Sequence, residues 1–219
     1  MSALDATGRR ASNASDHSGE VLPAPIAVRL QTSENVIADQ FSDVTVLFAD
    51  LVDFTRGSER VNPAAVVEVL DELFSSFDEL ARQHGLEKIK TVGDAYMVAG
   101  GLPVPRADHT EAVADLALAM RDEVAHHQDA SGQPLQLRIG IDTGPVVAGV
   151  IGRQKFSYDL WGDTVNTASR MESHGIAGHI QVTDRTYQRL RDRYRLEPRG
   201  LIQVKSKGAM TTYILVGRG

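Results

Sequence analysis

Residues 44–55 read VTVLFADLVDFT, a run of β-branched and apolar side chains that gives way to acidic residues. Such a run is typical of a strand covered on both faces, and Asp50 stands where the run ends. Residues 88–94 read KIKTVGD and place a second carboxylate, Asp94, directly after another strand-like stretch. Two such carboxylates can hold divalent cations against a polyphosphate. The pair therefore points to phosphoryl chemistry on a nucleotide.

The composition limits the class of protein. The chain has 219 residues, of which 42% are hydrophobic and 24% charged, enough to bury one core. Its formal charge of -6 gives no general attraction to nucleic acid or anionic lipid, so neither is an expected partner. It has no Cys, which excludes disulfides and thiolate metal sites. Because no uncharged apolar run approaches the roughly 18 residues of a membrane span, and the N-terminus lacks the apolar core of a signal peptide, we expect a soluble, cytoplasmic protein without membrane insertion.

Three segments of the chain differ in composition. Residues 1–20 are small, polar and aperiodic, which predicts a disordered tail. Residues 21–41 contain Pro23 and Pro25 among scattered apolar side chains, which is typical of a linker or coupling segment. Residues 42–219 are predicted to form the one folded domain.

Predicted strands and helices alternate through that domain. Asn62 followed by Pro63 predicts the N-cap and first turn of a helix. Gly144 and Pro145 predict a turn between two separate strands. A second amphipathic helix is expected over 112–124, and a short helix over 164–173. The order indicates an α+β fold, an α/β sandwich with a ferredoxin-like βαββαβ core and a βαβ extension on one mixed sheet.

Five motifs follow one another along residues 42–217. They are FAD with FT at 48–55, KIK with GD at 88–94, RIGI with Gly at 138–144, YDLWGDTVNTASR at 158–170 and VKSKG at 204–208. Together they resemble the catalytic domain of class III adenylyl cyclases of the bacterial, homodimeric type. The resemblance implies the class III nucleotidyl cyclase fold. It also implies conversion of ATP to 3′,5′-cyclic AMP and pyrophosphate.

The resemblance implies a two-metal site. Asp50 and Asp94 would ligate two Mg²⁺ or Mn²⁺ ions, since hard cations prefer carboxylate and phosphate oxygens. The ribose 3′-hydroxyl would then attack the α-phosphorus in line, and pyrophosphate would leave. Phe54 and Thr55 would receive phosphate oxygens, mostly through their backbone N–H groups. Asp53 departs from the family pattern, which usually has Gly at this position.

Four further residues have implied roles on the substrate. Lys90 and Asp159 would select adenine, because an ammonium and a carboxylate match its N1 acceptor and 6-amino donor. Asn166 and Arg170 lie four residues apart on one predicted helix face. Asn166 would orient the ribose, and Arg170 would stabilise charge on the pentacoordinate phosphorus.

Lys205 is implied as a contact of the terminal phosphates, and Lys207 could substitute for it. Lys90 and Asp94 would serve opposite ends of ATP, yet an extended segment of four residues spans at most about 14 Å. The resemblance therefore implies a head-to-tail homodimer with two composite sites. In it, Asp50 and Asp94 of one protomer face the base-, ribose- and phosphate-binding residues of the other.

Three alternatives remain open. A guanylyl cyclase would share the metal site but is expected to carry Glu and a small donor or Cys in place of Lys90 and Asp159. A non-catalytic nucleotide-binding regulatory module would tend to lack part of the acidic pair or of the Asn–Arg pair. Another two-metal phosphotransferase would need a template groove, which the acidic chain does not indicate.

Overall fold

A computed structural model describes residues 22–32, 37–54, 62–128, 132–152 and 155–219. The predicted tail over 1–20 lies outside the described residues. The helices are α1 (Ala24–Thr32), α2 (Pro63–Gln83), α3 (His109–Val124), α4 (Asp163–Ser173) and α5 (Asp184–Leu190). The strands are β1 (Ala38–Leu51), β2 (Glu87–Val92), β3 (Ala95–Gly100), β4 (Leu137–Ile151), β5 (Ser157–Trp161), β6 (Ile180–Thr183), β7 (Tyr194–Val204) and β8 (Gly208–Arg218).

One mixed sheet organises the molecule. Its strand order is β2-β3-β1-β4-β6-β8-β7, and β5 pairs with β4 outside this path. The first four strands are antiparallel and, with α2 and α3, make the predicted ferredoxin-like core. β6 pairs in parallel with β4 across α4, which gives the predicted βαβ extension. The predicted fold class is confirmed.

The N-terminus of α2 forms as its sequence predicts. Asn62 is the N-cap, and its side-chain oxygen accepts a hydrogen bond from the backbone N–H of Ala64 at 3.0 Å. Pro63 takes the first helical position, where a missing N–H costs nothing. Leu73 and Phe77 are fully buried in the main core beneath the sheet. This helix therefore packs against the β2–β3 side of the sheet, where Phe77 lies edge-on to Tyr96.

The predicted turn at Gly144 and Pro145 is wrong, because β4 runs without a break from Leu137 to Ile151. The ladder between β1 and β4 changes register between Phe41 and Val44, at the level of Pro145. A β-bulge of this kind leaves the ladder locally unpaired. The missing N–H of a proline is therefore tolerated within the strand.

Part of the predicted coupling segment over 21–41 is regular structure. Residues 24–32 form α1, and β1 begins at Ala38. Ile26 of α1 is buried in a second apolar cluster with Val46 and Met97, on the other face of the sheet. The position of the domain boundary stays a prediction. No helix among the described residues is both long and apolar enough to cross a bilayer.

Candidate active site

Asp50 and Asp94 converge at one end of the core strands. Asp50 is the penultimate residue of β1 and lies opposite Ala95, the first residue of β3. Asp94 precedes Ala95 in the tight β2–β3 turn, where Gly93 adopts φ +63°, a value typical of hairpin turns with Gly first. Burial raises the pKa of Asp50 to about 6, and the charges of Glu172 and Asp94 add to the rise. The two predicted metal carboxylates therefore lie within electrostatic reach of each other.

The chemistry of this pair fits a hard divalent cation. Within the part of the chain that the structure describes, no three His, Asp or Glu side chains are arranged to hold a metal ion. Mg²⁺ and Mn²⁺ are commonly held by one or two carboxylates. Oxygen atoms of substrate phosphates and water fill the ion's remaining coordination positions. Asp50 and Asp94 are therefore the residues that would hold such an ion.

Arg138 has no predicted role, although it opens one of the five motifs. It lies in β4 directly opposite Asp50. Its Nη2 donates to Oδ2 of Asp50 at 2.8 Å, and its Nε donates to Oε1 of Glu172 in α4 at 2.8 Å. Burial disfavours the charged guanidinium, but its pairing with Glu172 and Asp50 outweighs this and raises the pKa of Arg138. Only the β1–β4 register could have revealed this contact.

The turn after Asp50 explains the acidic residue at a usual Gly position. Asp53 has φ +56°, in the left-handed region that Gly adopts freely and that Asp tolerates better than most residues. Asp53 therefore adopts a backbone conformation that Gly takes without strain. Phe54 follows, and its side chain packs against the main core. Its role as a phosphate contact stays a prediction, and Thr55 lies outside the described residues.

Lys90 and Asp159 meet within one chain. Lys90 in β2 places its Nζ 2.5 Å from Oδ2 of Asp159 in β5. The Asp159 side chain is only 13% exposed, and its Oδ1 also accepts from the backbone N–H of Leu160 at 2.8 Å. The two predicted adenine selectors therefore form one oriented donor–acceptor pair.

Asn166 and Arg170 both lie on α4, with Asn166 exposed and Arg170 half-buried. Two threonines hold the start of this helix. Thr164 Oγ1 donates to the carbonyl of Pro145, and Thr167 Oγ1 donates to that of Asp163, both at 2.8 Å. The predicted helix is confirmed, and it presents both side chains from a fixed position.

Lys205 and Lys207 lie in the turn between β7 and β8. Lys207 forms an ion pair with Asp163, the first residue of α4. Lys205 is exposed. Since Lys207 already serves to tie the turn to α4, Lys205 remains the candidate for a phosphate contact.

Most of the chain matches one family model. The model is the adenylate and guanylate cyclase catalytic domain, and it matches residues 36–217. The chain belongs to this family. Its members include cyclases of both specificities, so the family alone does not decide between ATP and GTP.

Relatives of both kinds are similar to this cyclase domain. The adenylate cyclase of Mycobacterium bovis is 55% identical over 199 residues, which cover 90% of this chain and 45% of that protein. The human guanylate cyclase soluble subunit beta-2 is 44% identical over 198 residues, which cover 90% of this chain and 32% of that protein. The chain thus spans less than half the length of these relatives.

Solved structures support the fold. The guanylate cyclase domain of RhGC from Catenaria anguillulae, in complex with GTP, has a TM-score of 0.80 and 38% identity. The match covers 83% of this chain and 100% of that one. The observed sheet and helices are therefore those of a class III cyclase catalytic domain.

Proposed function

We propose that this domain is an adenylyl cyclase that converts ATP to 3′,5′-cyclic AMP and pyrophosphate. The observation that carries the proposal is the ion pair of Lys90 with Asp159. An ammonium donor and a carboxylate acceptor complement the N1 and 6-amino groups of adenine, whereas guanine has the opposite polarity on that edge. The 55% identical adenylate cyclase supports the same specificity. Since ATP is an intracellular substrate, we place the domain in the cytoplasm.

Each remaining site residue has a role in the proposed reaction. Mg²⁺ or Mn²⁺, two per site and held by Asp50 and Asp94, would supply activation of the 3′-hydroxyl and neutralisation of the triphosphate. Asn166 orients the ribose. Arg170 donates to the equatorial oxygens of the α-phosphorus as charge grows there, where a rigid guanidinium fork is most useful.

The triphosphate needs further donors at its other end. Lys205 binds the terminal phosphates, and Phe54 and Thr55 contribute backbone N–H groups. Asp53 lies directly before these two residues and adopts a left-handed backbone conformation. Pyrophosphate leaves in line with the attacking hydroxyl.

We further propose that the active form is a head-to-tail homodimer. Lys90 and Asp94 lie in one hairpin, at most about 14 Å apart along an extended chain, yet they serve opposite ends of ATP. The β4–β5 hairpin also exposes large apolar side chains to solvent. These are Val147, Ile151, Phe156 and Trp161. Burying such side chains against a second copy would stabilise the dimer and complete two sites.

A nucleotide assay tests the proposed reaction. Purified protein is incubated with ATP or GTP and with Mg²⁺ or Mn²⁺, and the cyclic nucleotide and pyrophosphate are quantified. We expect cyclic AMP from ATP, with kcat/KM for GTP lower by about tenfold or more. Asp94→Ala should abolish turnover, whereas Asp192→Ala, at a side chain 88% exposed, should not.

Other outcomes would favour the alternatives. Preferred formation of cyclic GMP would make the domain a guanylyl cyclase. Nucleotide binding without turnover under every metal would favour a regulatory module.

A further inference from the structure

A β-bulge sets one arginine of β7 apart from its strand. The ladder between β7 and β8 changes register between Pro198 and Gly200, which leaves Arg199 between the paired residues. Gly200 adopts φ +100°, and its carbonyl accepts a hydrogen bond from Thr212 Oγ1 at 3.2 Å. A bulge redirects the side chain of the extra residue. Arg199 can therefore point to a neighbour outside the β7–β8 ladder.

That neighbour is the C-terminal end of α4. Nη1 of Arg199 donates to the backbone carbonyl of His174, the C-cap of α4, at 2.5 Å, and also to Oε1 of Gln181 in β6. Gln181 is fully buried, and its Nε2 donates to the carbonyl of Met171 at 3.0 Å. Carbonyl groups at the end of a helix lack partners within the helix. Side chains of β6 and β7 thus satisfy two carbonyls at the end of α4.

The charge of Arg199 also suits this position. Its side chain is half-buried, and burial lowers the pKa of Arg199. Within the described part of the chain, no carboxylate forms an ion pair with it to offset this cost. The negative end of the α4 dipole offsets part of it instead, since a helix C-terminus attracts cations. The position of the guanidinium therefore favours a role in holding α4.

The last turn of α4 carries Arg170. The backbone nitrogen and the ring Nδ1 of His174 both lie 3.0 Å from the carbonyl oxygen of Arg170. Fixing His174 therefore also fixes the backbone from which the Arg170 side chain projects. Asn166 lies one turn earlier, in the part of the helix that Thr164 and Thr167 hold. Different contacts thus secure the two ends of α4.

We propose that Arg199 is a positioning residue that, together with Gln181, fixes the last turn of α4 and so directs the guanidinium of Arg170 at the reacting phosphorus. The proposal rests on the proposed function, because it takes Arg170 as the group that stabilises the transition state. A residue that acts only through such a group changes kcat and leaves ground-state binding of the substrate intact.

Steady-state kinetics of ATP turnover by the full chain test this role. Arg199→Met keeps most of the side-chain volume but removes the charge and the donors. We expect kcat to fall by about 10- to 100-fold, since a displacement of about 1 Å costs rates of this size. KM for ATP should stay within about twofold of the parent, because Lys90 and Asp159 lie on other strands. Arg195→Met, at an exposed arginine of the same strand, is the matched control and should keep the parent's kcat.

A double-mutant cycle separates positioning from a general loss of structure. Arg170→Ala alone should lower kcat by about 10²- to 10³-fold. Adding Arg199→Met to Arg170→Ala should change kcat by less than about twofold, because the group that Arg199 directs is already gone. A purely structural role predicts instead that the two losses multiply. Multiplied losses would overturn the proposal.

Amide hydrogen exchange gives a readout that does not depend on activity. In Arg199→Met, the amides of residues 172–175 should exchange faster by about 3- to 10-fold, because the end of α4 opens more often. The amides of residues 166–168 should match the parent, because Thr164 and Thr167 still hold that end. Unchanged exchange over 172–175 would contradict the proposed contact.

The outcomes distinguish this inference from the proposed function. If the parent forms no cyclic AMP, or Arg170→Ala keeps the parent's kcat, the proposed function fails and the inference falls with it. If Arg170→Ala loses activity but Arg199→Met matches the parent, or raises KM without lowering kcat, the inference is overturned and the proposed function stands.

A second variant covers a failure to fold. If circular dichroism shows that Arg199→Met is unfolded, Gln181→Met decides, because it removes the same link from the side of β6. A lower kcat at unchanged KM supports the inference, and any other result overturns it.

Discussion

At the level of single residues, Lys90 and Asp159 are the proposed determinants of the choice of base. Exchanging them for Glu and Ser reverses the polarity presented to the base edge. Since a matched pair of hydrogen bonds discriminates bases by about 1–3 kcal/mol, we expect the ATP:GTP ratio of kcat/KM to fall by about 10²-fold. Steady-state assays of the double variant measure this ratio. Lys88→Ala is the control, because Lys88 lies in the same strand and pairs with Asp78 instead.

Asp50 should make the metal-free protein less stable at neutral pH. Its pKa is about 6 in the folded state against an ordinary value of 3.8, so the folded state binds the proton more tightly. Stability therefore declines as pH rises from about 4 to about 6 and stays lower above. With chelator present, Asp50→Asn should raise the free energy of unfolding by about 1–2 kcal/mol at about pH 7.5 and change little at about pH 4.

Urea titrations at the two pH values measure the effect of Asp50→Asn. Asp192→Asn, at an exposed carboxylate, should match the parent at both. If Asp50→Asn raises the free energy of unfolding equally at both pH values, the charge of Asp50 is not the cause of the stability difference.

At the scale of elements, the contact of α4 with β4 depends on Gly140. A Cβ at this position would lie 2.0 Å from the Glu172 nitrogen and 2.5 Å from the Ala168 carbonyl oxygen, both backbone atoms that cannot turn aside. Gly140→Ala should therefore lower the free energy of unfolding by about 3 kcal/mol or more and reduce kcat, because α4 carries Asn166 and Arg170. Denaturant unfolding and cyclase assays measure both effects.

Gly217→Ala is the matched control for that helix–strand contact. Gly217 lies in β8, and an added Cβ would meet no atom within 4 Å. The free energy of unfolding of this variant should stay within about 0.5 kcal/mol of that of the parent. Equal losses from the two glycine variants would show that steric contact with α4 is not responsible.

Local patterns were sufficient to predict most elements, whereas pairing between elements was not predictable. Capping by Asn62 and the strand before Asp50 follow from the sequence because neighbouring residues determine them. The turn predicted at Pro145 is wrong because a bulge in β1, about 100 residues away along the chain, allows a proline within β4. The contact of Arg138 with Asp50 required the β1–β4 register, which alternation alone does not give.

At the scale of the whole molecule, the proposed dimer divides each site between two chains. The metal carboxylates come from one protomer, and the base, ribose and transition-state contacts come from the other. A monomer would therefore hold two incomplete halves. If one chain has lost one half of the site by mutation, a partner chain that retains this half should restore one complete site.

Mixing two inactive variants tests this division. Asp50→Ala destroys the half with the acidic pair, and Asn166→Ala destroys the half with α4, so each homodimer should be inactive. After equal amounts are unfolded together and refolded, random pairing makes half of the dimers mixed, with one intact site of two. Cyclic AMP formation should then recover to about a quarter of the parent's rate. A mixture of Asn166→Ala with Arg170→Ala should stay inactive, because both variants damage the same half. If the first mixture forms no cyclic AMP although differently tagged chains show that mixed dimers are present, the composite site is contradicted.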